Sequence, residues 1–362
     1  MKINSAAALI AGEIVEDVGI HIEDGRITEI TSAYESADQI YKGLLLPGFV
    51  DIHCHGGAGY YFSAESAAEI QKVIDIHRAH GTTTMLASLV SEPIASLKEQ
   101  IKRLLPFVQS GALAGIHLEG PYLSPDKCGA HDPTLLRDPV PSELQELLDI
   151  ADGAISMVTL APELPHGIAA IEFLVEHGIV AALGHSNADA EVTQRAVAAG
   201  ASVVTHFYNG LPKIDPANPN ITLQALLEDS LSLELINDGV HVDGSATELL
   251  LHSAPGRVML VTDAMSAAGA NDGSYTIGSL DVDVREGVAR LRSNGSLAGS
   301  TLTMKRAFEN LIHKSGVSLE YASHCASTLP ARVLGIEYIG EIKVGALAHF
   351  VEYRGGEISL VN

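Results

Sequence analysis

The chain has 362 residues, enough for one large domain plus a small one, and its 46% hydrophobic and 19% charged residues are typical of globular proteins. With 45 Asp and Glu against 22 Lys and Arg, the net charge of −23 argues against nucleic acid or a membrane surface as a partner. The three Cys form no disulfide framework, and we find neither a signal peptide nor an apolar run of about 18 residues. We therefore expect a cytoplasmic protein.

Both ends of the chain read as short β-strands. Residues 16–31, "EDVGIHIEDGRITEIT", alternate around a turn signal and predict a hairpin, and residues 340–362 have the same character. We predict that the two termini, residues 1–46 and 341–362, together form a small β-sandwich domain. Residues 47–340 would then form the catalytic domain.

The middle of the chain alternates apolar strands with helices, of which three end in Gly. Near-continuous apolar runs predict strands that are covered on both faces. Eight such strands with crossover helices predict an α/β fold, a TIM-like (β/α)8 barrel. Segment 264–300 is too long for a plain loop, and its alternation predicts an inserted hairpin. The eight predicted strands are 46–53, 82–88, 113–119, 154–160, 179–184, 201–206, 232–237 and 257–263.

Polar residues follow the apolar runs at the strand ends. In the first strand, "DIHCHG" places two imidazoles on one face, because side chains alternate along a strand. The carboxyl ends of barrel strands meet at one face, where active sites are built. The residues that end or follow these strands are His53, His55, Glu119, His185, His206, His241 and Asp263.

Imidazole and carboxylate groups are the ligands of catalytic zinc and similar cations. A single His at a strand end is more often a hydrogen-bonded structural residue, but the combined set predicts a metal site. Asp263 is the candidate for moving protons. His117 lies two residues before Glu119 and either points into the barrel or is structural. Cys128 is interpreted as an ordinary thiol.

The motifs together resemble those of the N-acetylglucosamine-6-phosphate deacetylases in the amidohydrolase superfamily. The resemblance extends from about residue 44 to 335 and rests on "PGFVDIHCHG", "GIHLEGPYLSPDKCGAHDP", "THFYNGLP", "VTDAMSAAG" and "GSLAGSTLTM". It implies deacetylation of an amino sugar phosphate and a homodimer. It also implies one or two divalent ions per subunit, zinc first, with iron, manganese or cobalt as alternatives.

The resemblance also implies individual roles. Glu119, His185 and His206 would hold one metal ion, His53 and His55 a second, and Asp263 would be the acid/base. Substrate would be bound by Ala130 and His131 near the amide, by Asn209, Gly210 and His241, and by Leu297, Ala298 and Gly299 around the acetyl group.

One segment departs from the family pattern. The family commonly has an Arg shortly after "THFYN", whereas residues 211–221 contain no Arg and Lys213 is their only cation. A lysine does not reproduce the bidentate contact of an arginine with phosphate. An amidohydrolase for an unphosphorylated sugar, another N-acetylhexosamine phosphate or an N-acyl amino acid therefore stays an alternative. A barrel without catalysis is disfavoured, since every ligand position is filled.

Overall fold

The structure is a computed structural model and describes residues 1–361. Strands from both chain ends form one six-stranded sheet in the order β19-β18-β4-β1-β2-β3. Strand β4 joins the two ends because it pairs in parallel with β1 and antiparallel with β18. The predicted terminal β domain is therefore present as a single sheet. Its strands are β1 Lys2–Ile10, β2 Glu13–Glu23, β3 Arg26–Ser32, β4 Gln39–Pro47, β18 Phe350–Arg354 and β19 Glu357–Leu360.

The barrel is confirmed, with eight parallel strands in the order β14-β13-β12-β11-β10-β9-β8-β5. Each lies within or close to a predicted segment, and their side chains are buried on both faces almost throughout. The first predicted strand is divided at Gly48, since β4 ends at Pro47. The barrel strands are β5 Phe49–Asp51, β8 Thr82–Leu89, β9 Gly115–Glu119, β10 Ile155–Leu160, β11 Val180–Leu183, β12 Val203–Val204, β13 Ser232–Ile236 and β14 Val258–Val261.

Helices cover the outside of the barrel. Helix α1 ends before Gly81, whose φ of +86° suits glycine and allows the chain to turn into β8. The helices are α1 Ala67–Ala79, α2 Ile94–Gln109, α3 Pro141–Ala151, α4 Gly167–Glu176, α5 Ala190–Ala198, α6 Ile221–Leu227, α7 Gly244–Ser253, α8 Met304–Ser315, α9 Leu319–Ser323 and α10 Leu329–Val333, with a π-helical turn at His324–Thr328. Across residues 1–361, none of them is long and apolar enough to cross a membrane.

The insertion before α8 is larger than the predicted hairpin. It is a three-stranded antiparallel sheet of β15 Gly273–Ile277, β16 Leu280–Arg285 and β17 Val288–Leu291, with an apolar core of its own. The short strands β6 Gly56–Gly57 and β7 Tyr60–Tyr61 lie beside it. The insertion therefore adds a separate wall at the carboxyl-terminal face of the barrel.

A buried carboxylate, that of Asp51, connects the first and last strands of the barrel by hydrogen bonds. Asp51 accepts hydrogen bonds from the backbone N–H groups of His53 and Thr262, at 3.3 and 3.2 Å, and from the Thr262 hydroxyl at 2.6 Å. Burial raises the pKa of Asp51 to about 6. The backbone N–H of Asp263 donates to His53 O at 2.8 Å, so the seam fixes two predicted site residues against each other. The domain boundaries at 46/47 and 340/341 stay a prediction.

Candidate metal centre

The predicted polar residues converge at the carboxyl ends of the barrel strands. Glu119 is the last residue of β9, and three other residues each lie two positions after the end of a barrel strand. These three have a left-handed backbone conformation, with φ of +47° at His185, +28° at His206 and +45° at Asp263. Residues other than glycine rarely adopt this conformation, and functional sites are among the places where they do. Of the eleven non-glycine residues with positive φ in the described part of the chain, three therefore belong to the predicted site.

Three metal-ligating atoms meet at Glu119. Its Oε1 lies 3.1 Å from His185 Nε2 and 3.0 Å from His206 Nε2, and the two nitrogens are 3.1 Å apart. The other nitrogen of each ring faces a backbone carbonyl, His185 Nδ1 to Lys127 O at 2.7 Å and His206 Nδ1 to Asn209 O at 3.1 Å. In the neutral rings each Nδ1 must therefore carry the proton, which leaves both Nε2 lone pairs pointing at each other and at a carboxylate.

His53 and His55 repeat this arrangement. Their Nε2 atoms are 3.0 Å apart, and their Nδ1 atoms face Glu234 Oε2 at 2.9 Å and Ser88 O at 3.2 Å. His55 Nε2 is 3.2 Å from Glu119 Oε2, so this carboxylate lies between the two His pairs. Cys54 points away, as the strand alternation predicts.

The donor set fits a divalent cation. Facing lone pairs and carboxylate oxygens repel one another unless positive charge lies between them. Burial would lower the pKa of His206, but the neighbouring Glu119 outweighs burial and raises it, whereas burial lowers the pKa of His185. Neutral imidazole and carboxylate are the ligands zinc takes in catalytic sites.

His131 has the opposite orientation. Its Nδ1 accepts a hydrogen bond from the Ser91 backbone N–H at 3.3 Å, so the proton lies on Nε2. That Nε2 is 3.3 Å from Glu119 Oε2 and borders the cavity. His131 is therefore a hydrogen-bond donor to the site, in contrast to the four histidines that present lone pairs.

Asp263 faces the His53 and His55 pair. Its Oδ1 lies 3.6 Å from His53 Nε2 and 3.4 Å from His55 Nε2. Burial would raise the pKa of Asp263, but the two imidazoles outweigh it and hold the pKa below its usual value. The group is therefore a carboxylate at neutral pH and able to accept a proton.

A cavity of about 190 Å³ opens onto these groups. Of the predicted substrate residues, Ala298 is the exception: it is fully buried in the core of the insertion and does not line the cavity. The Ala298 side chain faces the insertion core while its neighbours face the cavity, so its role in binding the acetyl group stays a prediction. The predicted residues that line the cavity are His55, Glu119, Ala130, His131, His185, His206, Asn209, Gly210, His241, Asp263, Leu297 and Gly299.

One side of the cavity is polar. Gly210 lies beside the His185 ring, since a Cβ built on Gly210 would be 3.0 Å from His185 Nδ1, and Asn209 lines the same cavity. His241 is held by Asp238, whose Oδ2 lies 2.7 Å from His241 Nδ1. Lys213 is exposed and does not line the cavity.

Three residues escaped the sequence analysis, the first of them Gly129, which lines the cavity beside Ala130. Ile277 of β15 lines the cavity from the insertion and gave no signal in the sequence. Glu234 lies inside β13 with 0% exposure, and its Oε2 is 2.9 Å from both His53 Nδ1 and His206 N. A charged residue within the apolar run "SLELI" was the signal for Glu234.

His117 points into the barrel beneath the site. Its Nδ1 lies 2.9 Å from Ser88 Oγ, and its Nε2 lies 2.8 Å from Thr159 Oγ1. The Thr159 hydroxyl is in turn hydrogen-bonded to Thr205 Oγ1 at 2.8 Å. Burial lowers the pKa of His117 well below its usual value. This neutral hydrogen-bonded chain supports the floor of the site.

The comparisons agree with this geometry. The sequence profile of the amidohydrolase family matches residues 44–353. The chain is 35% identical to the N-acetylgalactosamine-6-phosphate deacetylase of Escherichia coli O157:H7, over 94% of this chain and 92% of that protein. It is also 35% identical to the N-acetylglucosamine-6-phosphate deacetylase of Vibrio furnissii, over 91% of this chain and 84% of that protein.

Solved structures give the same result. The N-acetyl-D-glucosamine-6-phosphate deacetylase of Mycobacterium smegmatis superposes with a TM-score of 0.95 at 36% identity, covering 100% of this chain and 97% of that one. The Thermotoga maritima N-acetylglucosamine-6-phosphate deacetylase gives 0.89 at 32% identity, covering 99% of each chain. The similarity therefore includes both the barrel and the terminal sheet.

Proposed function

This chain belongs to the amidohydrolase family, and on that premise we propose that it hydrolyses the acetamide of N-acetylglucosamine 6-phosphate to glucosamine 6-phosphate and acetate. One observation carries the proposal. A single cavity is lined by the candidate metal ligands around Glu119, by the hydrogen-bond donor His131 and by the carboxylate of Asp263. The deacetylase relatives, similar over nearly the whole chain, support the same reaction.

Glu119, His185 and His206 would hold one divalent cation, for which zinc is proposed first. His53 and His55 present a second pair of lone pairs, so the chain has ligands for one or two ions. A cation bound there would polarise the amide carbonyl and make water more acidic.

The protein's own residues account for the other steps. His131 Nε2–H donates to the carbonyl oxygen as negative charge develops on it. Asp263 takes a proton from the attacking water and then gives it to the nitrogen as the carbon–nitrogen bond breaks, so its charge is restored. The products are the free amine and acetate.

The two sides of the cavity orient the substrate. Asn209, Gly210 and His241 form the polar side and would receive the sugar and its phosphate. Leu297 and Gly299 form the apolar side and would receive the acetyl methyl group. Because Lys213 lies outside the cavity, the phosphate would be held by amide and imidazole groups within a strongly acidic protein.

A second candidate substrate is N-acetylgalactosamine 6-phosphate. The observation that favours it is the Escherichia coli O157:H7 relative, which is as similar to this chain as the Vibrio furnissii one. The two sugars differ only in the configuration at C4. An unphosphorylated N-acetyl sugar or another N-acyl compound is the wider alternative, motivated by the absence of Arg from residues 211–221.

The test compares kcat/KM of zinc-loaded protein on N-acetylglucosamine 6-phosphate, N-acetylgalactosamine 6-phosphate and N-acetylglucosamine. We expect the first to be preferred over the unphosphorylated sugar by several orders of magnitude. Asp263→Asn should reduce kcat by orders of magnitude while the protein still binds metal. Equal turnover of both glucosamine compounds would contradict the phosphate specificity, and unchanged kcat in Asp263→Asn would contradict its role.

The proposal includes a cytoplasmic homodimer. Cys54, Cys128 and Cys325 are all free thiols, as is usual in a reducing compartment. Exposed apolar side chains on α6 and α7, Leu227 at 67% and Leu249 at 52%, would be covered in a dimer. Light scattering on the purified protein tests the oligomeric state.

A further inference from the structure

The apolar side of the cavity has a component that lies outside the barrel. Ile277 is the last residue of β15 and pairs with Leu280 of β16, so it lies at the tip of the insertion's first hairpin. It is 5% exposed and lines the cavity together with Leu297 and Gly299.

The hairpin tip is fixed on both sides. The Tyr61 hydroxyl donates to Thr276 O, next to Ile277. In the turn, Ser279 Oγ donates to Asp132 Oδ2 at 3.1 Å, and Asp132 directly follows His131. Ile277 is therefore held against the cavity by contacts to β7 and to the loop that carries the His131 donor.

The cavity wall next to Ile277 is tightly packed. A Cβ built on Gly299 would lie 3.1 Å from Met265 Cβ and 3.2 Å from Asp263 O, so the Gly299 backbone is packed directly against the strand end that carries Asp263. Met265 is fully buried in the same apolar cluster as Ile277. A larger group on this side would have to displace packed atoms.

We infer that Ile277 sets the upper limit on the length of the acyl group that the site accepts. The inference rests on the proposed amide hydrolysis, in which the carbonyl lies between His131 and Asp263 and the amine side points to the polar residues. The acyl chain then points at the apolar side, where a methyl group fits. Each further methylene meets the Ile277 side chain.

The test measures kcat/KM for N-acetyl-, N-propanoyl- and N-butanoylglucosamine 6-phosphate. We expect wild-type kcat/KM to fall by about 10-fold or more for each added methylene. Ile277→Ala should raise the butanoyl-to-acetyl ratio by at least about 10-fold, and Ile277→Val should raise the propanoyl-to-acetyl ratio by a smaller factor. The control is Val282→Ala, a fully buried change in the same insertion core that does not border the cavity.

Unchanged ratios in the Ile277 variants, with wild-type turnover of the acetyl substrate, would overturn the inference and leave the proposed function standing. The same increase in the butanoyl-to-acetyl ratio in Val282→Ala would also overturn the inference, because general loosening of the insertion would then be sufficient to explain the change. If the wild type turned over only unphosphorylated sugars, the ratios would be measured on the N-acylglucosamines. Absence of turnover on every N-acyl sugar would overturn both proposals.

Discussion

Glu234 Oε2 lies 2.9 Å from His53 Nδ1 and also accepts the backbone N–H of His206. One fully buried carboxylate thus fixes the ring of one candidate ligand and the backbone of another. Partners of this kind set the tautomer of a ligating histidine and raise its basicity.

Glu234→Gln should weaken metal binding by about 10- to 100-fold. Both hydrogen bonds end on Oε2, so an amide oxygen in that place would accept them without the negative charge that raises the basicity of His53. Competition with a coloured chelator measures the affinity. Glu146→Gln, at an exposed ion pair with Lys98, is the matched control, and an affinity equal to wild type in Glu234→Gln would refute the role.

The tautomers separate His131 from the candidate ligands. His131→Asn should retain the full metal content and lower kcat by about 10²- to 10³-fold, because one donor to the developing oxyanion is lost. His185→Asn should lower the metal content itself. Elemental analysis of both purified variants distinguishes them, and metal loss from His131→Asn would show that His131 is a ligand.

His77 should make stability depend on pH. Burial lowers the pKa of His77 from 6.5 to about 4, while its Nε2 lies 2.9 Å from Gly56 O. Between these pH values the unfolded chain binds a proton that the folded chain does not, so the free energy of unfolding falls as the pH falls from 6.5 to 4. The loss due to this group is roughly 3 kcal/mol.

Urea unfolding of wild type and His77→Gln across this range measures the effect. Glutamine can still donate to Gly56 O but does not titrate, so the variant should lose less stability on acidification. Parallel pH curves for the two proteins would rule out a contribution from His77.

Arg257 should be a stability residue without a role in the reaction. Its guanidinium donates to four backbone carbonyls around the end of α6, those of Ala225, Leu226, Glu228 and Leu231, at 2.7 to 3.2 Å. Arg257→Ala should lower the free energy of unfolding by about 2–4 kcal/mol, because four partly buried carbonyls lose a charged donor. The matched control is Arg285→Ala, whose side chain is 86% exposed. A large loss of kcat/KM at full folding would contradict this assignment.

The alternation of apolar strands with helices along the sequence was sufficient to predict the barrel. Strands such as β9 and β10 are buried on both faces, and the polar residues at the strand ends indicated Glu119 and its neighbours. The side chain of Ile277 could not be predicted to enter the cavity, because its position depends on how a long insertion folds back over the barrel. The orientation of the Ala298 side chain could not be predicted for the same reason, since the residues of a turn face inward or outward according to contacts far away in sequence.

The shared terminal sheet also constrains how the chain is made. Strand β4 emerges from the ribosome early, yet its partner β18 follows some 300 residues later; the contact between Gly43 N and Glu352 Oε1 spans 309 positions. Contacts so distant in sequence form slowly. One edge of β4 therefore lacks its native partner until β18 has been synthesised, and β18 and β19 complete the sheet that β1 to β4 begin.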